Sequence, residues 1–233
     1  MIKKNALVLY AKKPEVGKVK TRLTQGINQL TPEMASALYS AILEDLIILF
    51  SNSSQASNYD FFICPKGDSK DFKETFDYKY TIINDTGDGN LGTSMYNTFS
   101  FLFNQNYHNV CIIGSDIPFL NENSIENTFN KLDSAFDFVI GGDQSGGCYL
   151  IAAKKLYDIF NNITWSQGMD FKILTDRARN NKINTAILPE EIDIDNFDDL
   201  IKVNEKINQD SINYKVKMKN TFNFLFHVKQ IFS

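Results

Sequence analysis

Histidine, tryptophan and cysteine are scarce in this chain of 233 residues, with two, one and three copies respectively. With only His108 and His227, and no CxxC pair, a zinc centre is not expected. The three cysteines, Cys64, Cys111 and Cys148, are odd in number and far apart, and two lie inside apolar runs where a free thiol behaves as a small buried hydrophobe. A disulfide framework is therefore excluded, and a reducing cytoplasm is the expected location. No uninterrupted apolar run approaches the roughly 20 residues of a membrane span, and the apolar stretch near the start is too short for a secretory signal. A dominant basic surface is lacking too, since the formal net charge is -4, which argues against nucleic acid as a partner. With 12 glycines and 5 prolines, collagen-like and disordered classes fall away. What remains is an ordinary globular composition, 43% hydrophobic and 22% charged, in a chain long enough to bury roughly 70% or more of its unfolded surface.

Short apolar runs alternate with amphipathic ones. Residues 6–10, 61–64, 80–83, 110–113, 138–140, 149–153 and 185–188 read as strands. Pro32–Phe50 carries Met34, Ala37, Leu38, Ala41, Ile42, Leu46 and Leu49 at spacings of three and four, with Thr31 placed to cap a helix that starts on a proline. Residues 91–103, 123–132, 155–160, 170–179 and 196–208 read as further helices, and Ser51–Asn58 as a polar loop. The alternation predicts an α/β fold with a mainly parallel central sheet and helices on both faces. In such sheets ligands gather at the carboxyl ends of the strands. Residues 1–210 read as one domain and 211–233 as a basic, aromatic C-terminal extension of helical character.

Charge is unevenly spread. Lys12, Lys13, Lys18, Lys20 and Arg22 surround a single acid, Glu15, directly after the first strand, and Pro14 and Gly17 shape the turn. Lysine and arginine neutralise phosphate as point charge and planar fork, and a glycine admits backbone N–H groups to an anion. The loop is neither GxxxxGK[ST] nor GxGxxG; it reads either as a solvated basic loop or as a phosphate cradle. The fourth strand runs into Gly114-Ser115-Asp116-Ile117-Pro118, and a carboxylate there serves either as a turn cap or as a ligand for Mg²⁺ or Mn²⁺. Two further glycine loops, Thr86–Gly92 and Gly141–Gly147, suggest close backbone approach to a ligand or simple turns. Glu190–Asp199 holds six acids and no base, while Ser211–Ser233 has four lysines and no acid. The latter fits a helix packed on the domain, a homodimer contact, or weak contact with anionic lipid.

Six motifs, in order, resemble the bacterial GT-A-like glycosyltransferases of the arsenosugar-biosynthesis type, relatives of nucleotide-diphospho-sugar transferases and nucleotidyltransferases. They are Lys12-x-Pro14-x-x-Gly17-x-Val19-Lys20-Thr21-Arg22-Leu23, Asn90-Leu91-Gly92-x-x-Met95, Gly114-Ser115-Asp116-x-Pro118-x-Leu120, Gly146-Gly147-x-Tyr149-Leu150-Ile151, Trp165-Ser166 and Ile192-Asp193-Ile194-Asp195-x-x-x-Asp199-Leu200. The resemblance implies a GT-A-like fold over about residues 4 to 205. It implies that Lys12, Gly17, Lys18, Lys20, Arg22 and Gly92 bind the nucleotide of a nucleotide-sugar or NTP. It further implies that Asp116, Lys20 and Arg22 carry the chemistry with a divalent metal, Mg or Mn, at Asp116, and that Gly146, Gly147, Tyr149 and Trp165 line the side of a small-molecule acceptor.

Asp193 and Asp195 match a late acidic pair in those relatives, or else cap the last helix. The relatives carry an acid, an arginine and an aspartate where this chain has Asn90, Ser94 and Ser145. Asp143, two residues before Ser145, would point to the same side of an extended segment and is the expected replacement metal ligand. Sugar transfer is the first expectation. Nucleotidyl transfer to a small phosphate, or nucleotide binding without catalysis, are the alternatives.

Overall fold

A computed structural model of the chain describes residues 5–26, 29–56, 58–67 and 69–228. Its centre is a seven-stranded sheet formed by β1 (Asn5–Lys12), β2 (Tyr59–Lys66), β3 (Thr81–Ile82), β4 (Val110–Gly114), β5 (Phe138–Gly142), β6 (Cys148–Ala153) and β7 (Thr185–Ile187), in the order β3-β2-β1-β4-β6-β5-β7. All pairings are parallel except those of β6 with β4 and β5. The helices are α1 (Pro32–Ala56), α2 (Ser69–Thr75), α3 (Leu91–Asn104), α4 (Glu122–Ser134), α5 (Asp170–Asn180), α6 (Phe197–Gln209), α7 (Ser211–Lys217) and α8 (Lys219–His227). The expected α/β fold with helices on both faces is present.

Strand alternation produces the two cores. Leu7, Leu9, Cys111 and Ile113 point to one face of the sheet, where α1, α2, α4, α6 and α8 supply Leu38, Ile42, Phe72, Phe129, Leu200 and Leu225. Ala6, Val8, Ile112 and Ile151 point to the other, against Phe99, Leu102, Leu174 and Ala178 of α3 and α5. Helix α1 is long and apolar enough to cross a membrane by length and composition, with a mean hydropathy of 1.6 over its most apolar window. Yet 67% of that window is buried inside the domain, against β2, α4 and α8.

Two local expectations are corrected. Ser51–Ala56 is not a loop but the last turns of α1, where buried Ser51 and Ser53 continue the helix's inner face, and Ser53 bonds the hydroxyl of Tyr59. Residues 155–160 form no helix, and the irregular segment that follows is held by a side chain of α5. The Arg177 guanidinium donates to the carbonyls of Ile159 (3.0 Å), Asn161 and Asn162 (3.1 Å), which leaves Ile159 and Phe160 buried in irregular backbone.

Helix α8 is fixed to α1 by one carboxylate. Asp45, 8% exposed in the middle of α1, accepts hydrogen bonds from Asn220 N (3.0 Å), Thr221 N (2.8 Å) and Thr221 Oγ1 (2.8 Å). The described part of the C-terminal segment is therefore helical and packed on the domain, while Ile212 and Val216 of α7 stay exposed. Residues 229–233 lie outside the described part.

Candidate active site

The chain leaves β1 toward β2 on one side and places β4 on the other, so the order of winding reverses between β1 and β4. A crevice forms outside the carboxyl ends of such strands. Here it is a cleft of about 770 Å³, lined by Lys12, Lys18, Lys20, Thr21 and Arg22 after β1, by Gly114, Ser115 and Asp116 after β4, and by Asn90, Ser94 and Met95 of α3. Tyr149, Trp165 and Ser166 line the far side.

The basic loop is held from below. Buried Val19 and Leu23 anchor it in the core, and Ser36 of α1 donates to the carbonyl of Pro14 (2.9 Å). The hydroxyl of Tyr39, another α1 residue, accepts from Lys12 N (2.9 Å) and shares a hydrogen bond with Ser115 Oγ (2.8 Å), so one side chain joins the ends of β1 and β4. Burial first, and then the Asp116 charge, push the Tyr39 hydroxyl pKa up, so it stays a neutral hydrogen-bonding group.

Lys20 takes a left-handed backbone conformation (φ 50°, ψ 36°), one that residues with a Cβ adopt reluctantly and that tends to persist at functional sites. The turn aims its side chain inward. Nζ lies 2.6 Å from Asp116 Oδ1 and donates to the carbonyl of Ile194 at 2.6 Å, and the side chain is only 5% exposed. Arg22 pairs with Asp195 at 2.5 Å, Lys18 with Glu15. Lys12 and Lys66 are register partners at the ends of β1 and β2, and both line the cleft.

Asp193 and Asp195 do not cap α6, the helix that follows them. That role belongs to Asn196 and Asp199, whose side chains each accept from the other's backbone N–H. Asp195 is thereby free for Arg22, while Asp193 is 7% exposed and its pKa is pushed up to about 7. Burial is the main cause, the Asp143 and Asp195 charges add to it, and Lys20 partly offsets it.

Two of the glycines make room for neighbouring backbone. A Cβ on Gly92 would stand 2.3 Å from the carbonyl of Phe160 and 2.8 Å from Trp165 Nε1, so its absence lets the 160s loop close over α3. Gly146, at φ +85°, faces the carbonyl of Gly168 at a distance where a Cβ would lie 2.1 Å away. Gly17 sits at positive φ with open space around it. Gly17, Gly92, Gly146 and Gly147 all stand outside the lining of the cleft.

The three departures from the relatives also have local roles. Asn90 caps α3 through Thr93 N (3.0 Å), Ser94 donates to the Tyr10 hydroxyl (3.2 Å), and Ser145 donates to Asp143 through N (2.9 Å) and Oγ (2.7 Å). Tyr149 donates to the carbonyl of Pro189 (2.9 Å), whereas Trp165 Nε1 is buried without a hydrogen-bond partner among the described residues. The Cys64 thiol, beneath the cleft, is raised to about 12 by burial and is inert as a nucleophile at neutral pH.

The expected metal ligands were tested against these contacts. Asp116 Oδ1 is held by Lys20. Asp143 Oδ1 accepts three hydrogen bonds within its own turn, the third from Gly147 N at 2.8 Å, and Asp143 stands outside the lining of the cleft. Among the described residues no group of three or more acidic, histidine or cysteine side chains is placed to hold a metal. With Lys20 on Asp116 Oδ1, the described side chains alone form no cage of several oxygens for Mg²⁺ or Mn²⁺. Sequence reasoning missed Tyr39 and Lys66. Lys66 follows a strand, as the basic loop does, and that position was its signal; Tyr39 carried none beyond its place on the buried face of a helix.

Sheet order and cleft position together define a nucleotide-diphospho-sugar transferase-like fold. The chain belongs to the family described as "Uncharacterized protein conserved in bacteria (DUF2064)", whose profile matches residues 50–167. Among solved structures, it is similar to a protein from Desulfovibrio desulfuricans G20, provisionally assigned as a nucleotide-diphospho-sugar transferase, with 24% identity, a TM-score of 0.87 and coverage of 98% of this chain and 96% of that one. It also resembles a cytidylyltransferase from Leptospira borgpetersenii serovar Hardjo-bovis (10% identity, TM-score 0.58, 98% and 96% covered). A third likeness is to the 4-diphosphocytidyl-2C-methyl-D-erythritol synthase of Anaerococcus prevotii DSM 20548 (13%, 0.55, 89% and 100%). No curated protein matches the chain. These likenesses are likenesses of fold.

Proposed function

We propose that the cleft binds a nucleotide-activated sugar and transfers the sugar to a small acceptor, as the likeness to arsenosugar-type glycosyltransferases suggests. The observation that carries this reading is the set of cations, Lys12, Lys18, Arg22 and Lys66, that line the 770 Å³ cleft at the β1/β4 crevice. In this reading the diphosphate lies among those cations and the base lies toward α3. Charge growing on the departing nucleoside diphosphate is stabilised by Arg22 and by Lys20, which Asp116 holds in place; fixed charges of this kind favour the transition state most where water is scarce. Trp165 and Tyr149 form the acceptor side. Three free cysteines suit a reducing cytoplasm.

A second reading, nucleotidyl transfer, is supported by the cytidylyltransferase likenesses. There an acceptor phosphate oxygen would attack the α-phosphorus of an NTP, and pyrophosphate would leave. Incubation with a panel of UDP-, GDP- and CDP-sugars and of NTPs, with products resolved by chromatography, separates the two. A released nucleoside diphosphate with a glycosylated product supports sugar transfer, and pyrophosphate supports nucleotidyl transfer. Nucleotide binding with neither product would mark a binding protein that kept the fold.

A further inference from the structure

We propose that Lys20 is the resident cation of Asp116 and closes that carboxylate to free divalent metal ions. The ammonium sits where a metal bound to Asp116 would sit, 2.6 Å from Oδ1, with the carbonyl of Ile194 as a second oxygen at 2.6 Å. Those two oxygens, one charged and one neutral, are donors a hard divalent cation would also seek. The ammonium is not on a loose tether. Its backbone is turned into the left-handed region, the buried neighbours Val19 and Leu23 fix the loop, and the Tyr39 ring lies beneath Nζ at 6.0 Å.

The other acids nearby are already committed. Asp195 is taken by Arg22, and Asp143 Oδ1 is filled by its own turn. Asp193 is buried, and its surroundings disfavour its charged form. A divalent ion that takes Oδ1 of Asp116 must therefore displace the lysine from it and leave a buried ammonium without that counter-charge. That cost is subtracted from whatever affinity the ion has for the carboxylate. Unlike a bound metal, this positive charge is part of the chain and survives a chelator. The inference rests on these contacts alone and stands or falls apart from the nucleotide reading.

The test is a titration of the full chain with Mn²⁺, without nucleotide, followed by the electron paramagnetic resonance signal of the free ion. Wild type, Lys20→Met, Lys20→Gly and the double variant Lys20→Met/Asp116→Asn are compared, with circular dichroism to establish folding. Glycine is at ease in the left-handed conformation, so Lys20→Gly keeps the test open if the methionine variant fails to fold. Both single variants are expected to bind Mn²⁺ at least about tenfold more tightly than wild type, about 1.4 kcal/mol, and Asp116→Asn is expected to abolish the gain. Equal affinity in wild type and both single variants, or a gain that survives Asp116→Asn, overturns the proposal.

Discussion

Replacing Asp193 by asparagine should make the protein more stable at alkaline pH and slightly less stable in acid. Asp193 is 7% exposed, and its pKa rises from 3.8 to about 7, through burial first and then the charges of Asp143 and Asp195. The folded chain thus binds a proton there more tightly than the unfolded chain does. The stability tied to this group is complete below about pH 4 and is lost as the pH rises through about 7. A displacement of that size corresponds to about 4 kcal/mol. Asparagine keeps the shape and removes the charge, but its amide fits the site imperfectly, at a cost of about 1 kcal/mol at every pH. The variant should therefore be about 1 kcal/mol less stable than wild type near pH 3, about equal to it near pH 4.5, and about 3 kcal/mol more stable near pH 8.5. For a chain of this size that is roughly 6–12 °C of melting temperature at the alkaline end. Thermal unfolding followed by circular dichroism across that range reads it directly. If the difference between variant and wild type does not change with pH, Asp193 is not the strained buried acid described above.

Three further substitutions test how the site is supported. Gly92→Ala drives a Cβ into the carbonyl of Phe160, a residue 1% exposed and stacked on Phe99, and should cost about 2–3 kcal/mol in urea unfolding. Tyr39→Phe strands the Lys12 N–H and the Ser115 hydroxyl; about 1–3 kcal/mol of stability should go, and ligand affinity in the cleft should fall with it, as thermal shift with and without nucleotide would show. Asp45→Ala removes the three hydrogen bonds that tie α8 to α1. It should cost about 2–3 kcal/mol and open the chain near Lys217 and Lys219 to trypsin well before the rest of the domain.

Much of the architecture was written in local pattern. The sheet followed from apolar runs of strand length, α1 from its three-and-four spacing, and the site's position from the rule that ligands gather at strand ends. What local pattern does not carry is pairing at a distance. Lys20 and Asp116 stood out separately, yet their contact depends on a left-handed turn that no neighbouring residue announces. Tyr39 reads as one more apolar position on a helix, although its hydroxyl joins two strand ends. The glycine loops are a related case: Gly92 and Gly146 make room for the chain's own backbone, and a sequence does not distinguish that from room for a ligand.

The central claim is that the cations after β1 make the cleft a nucleotide site. Isothermal titration calorimetry of wild type, Lys12→Ala and Arg22→Ala with UDP, GDP and CDP tests it most directly. The account predicts saturable binding of at least one of them by wild type, weaker at high salt and weakened about tenfold or more by either substitution, in keeping with charge-assisted phosphate contacts. Absence of binding to every nucleotide, or binding indifferent to both substitutions, would contradict it.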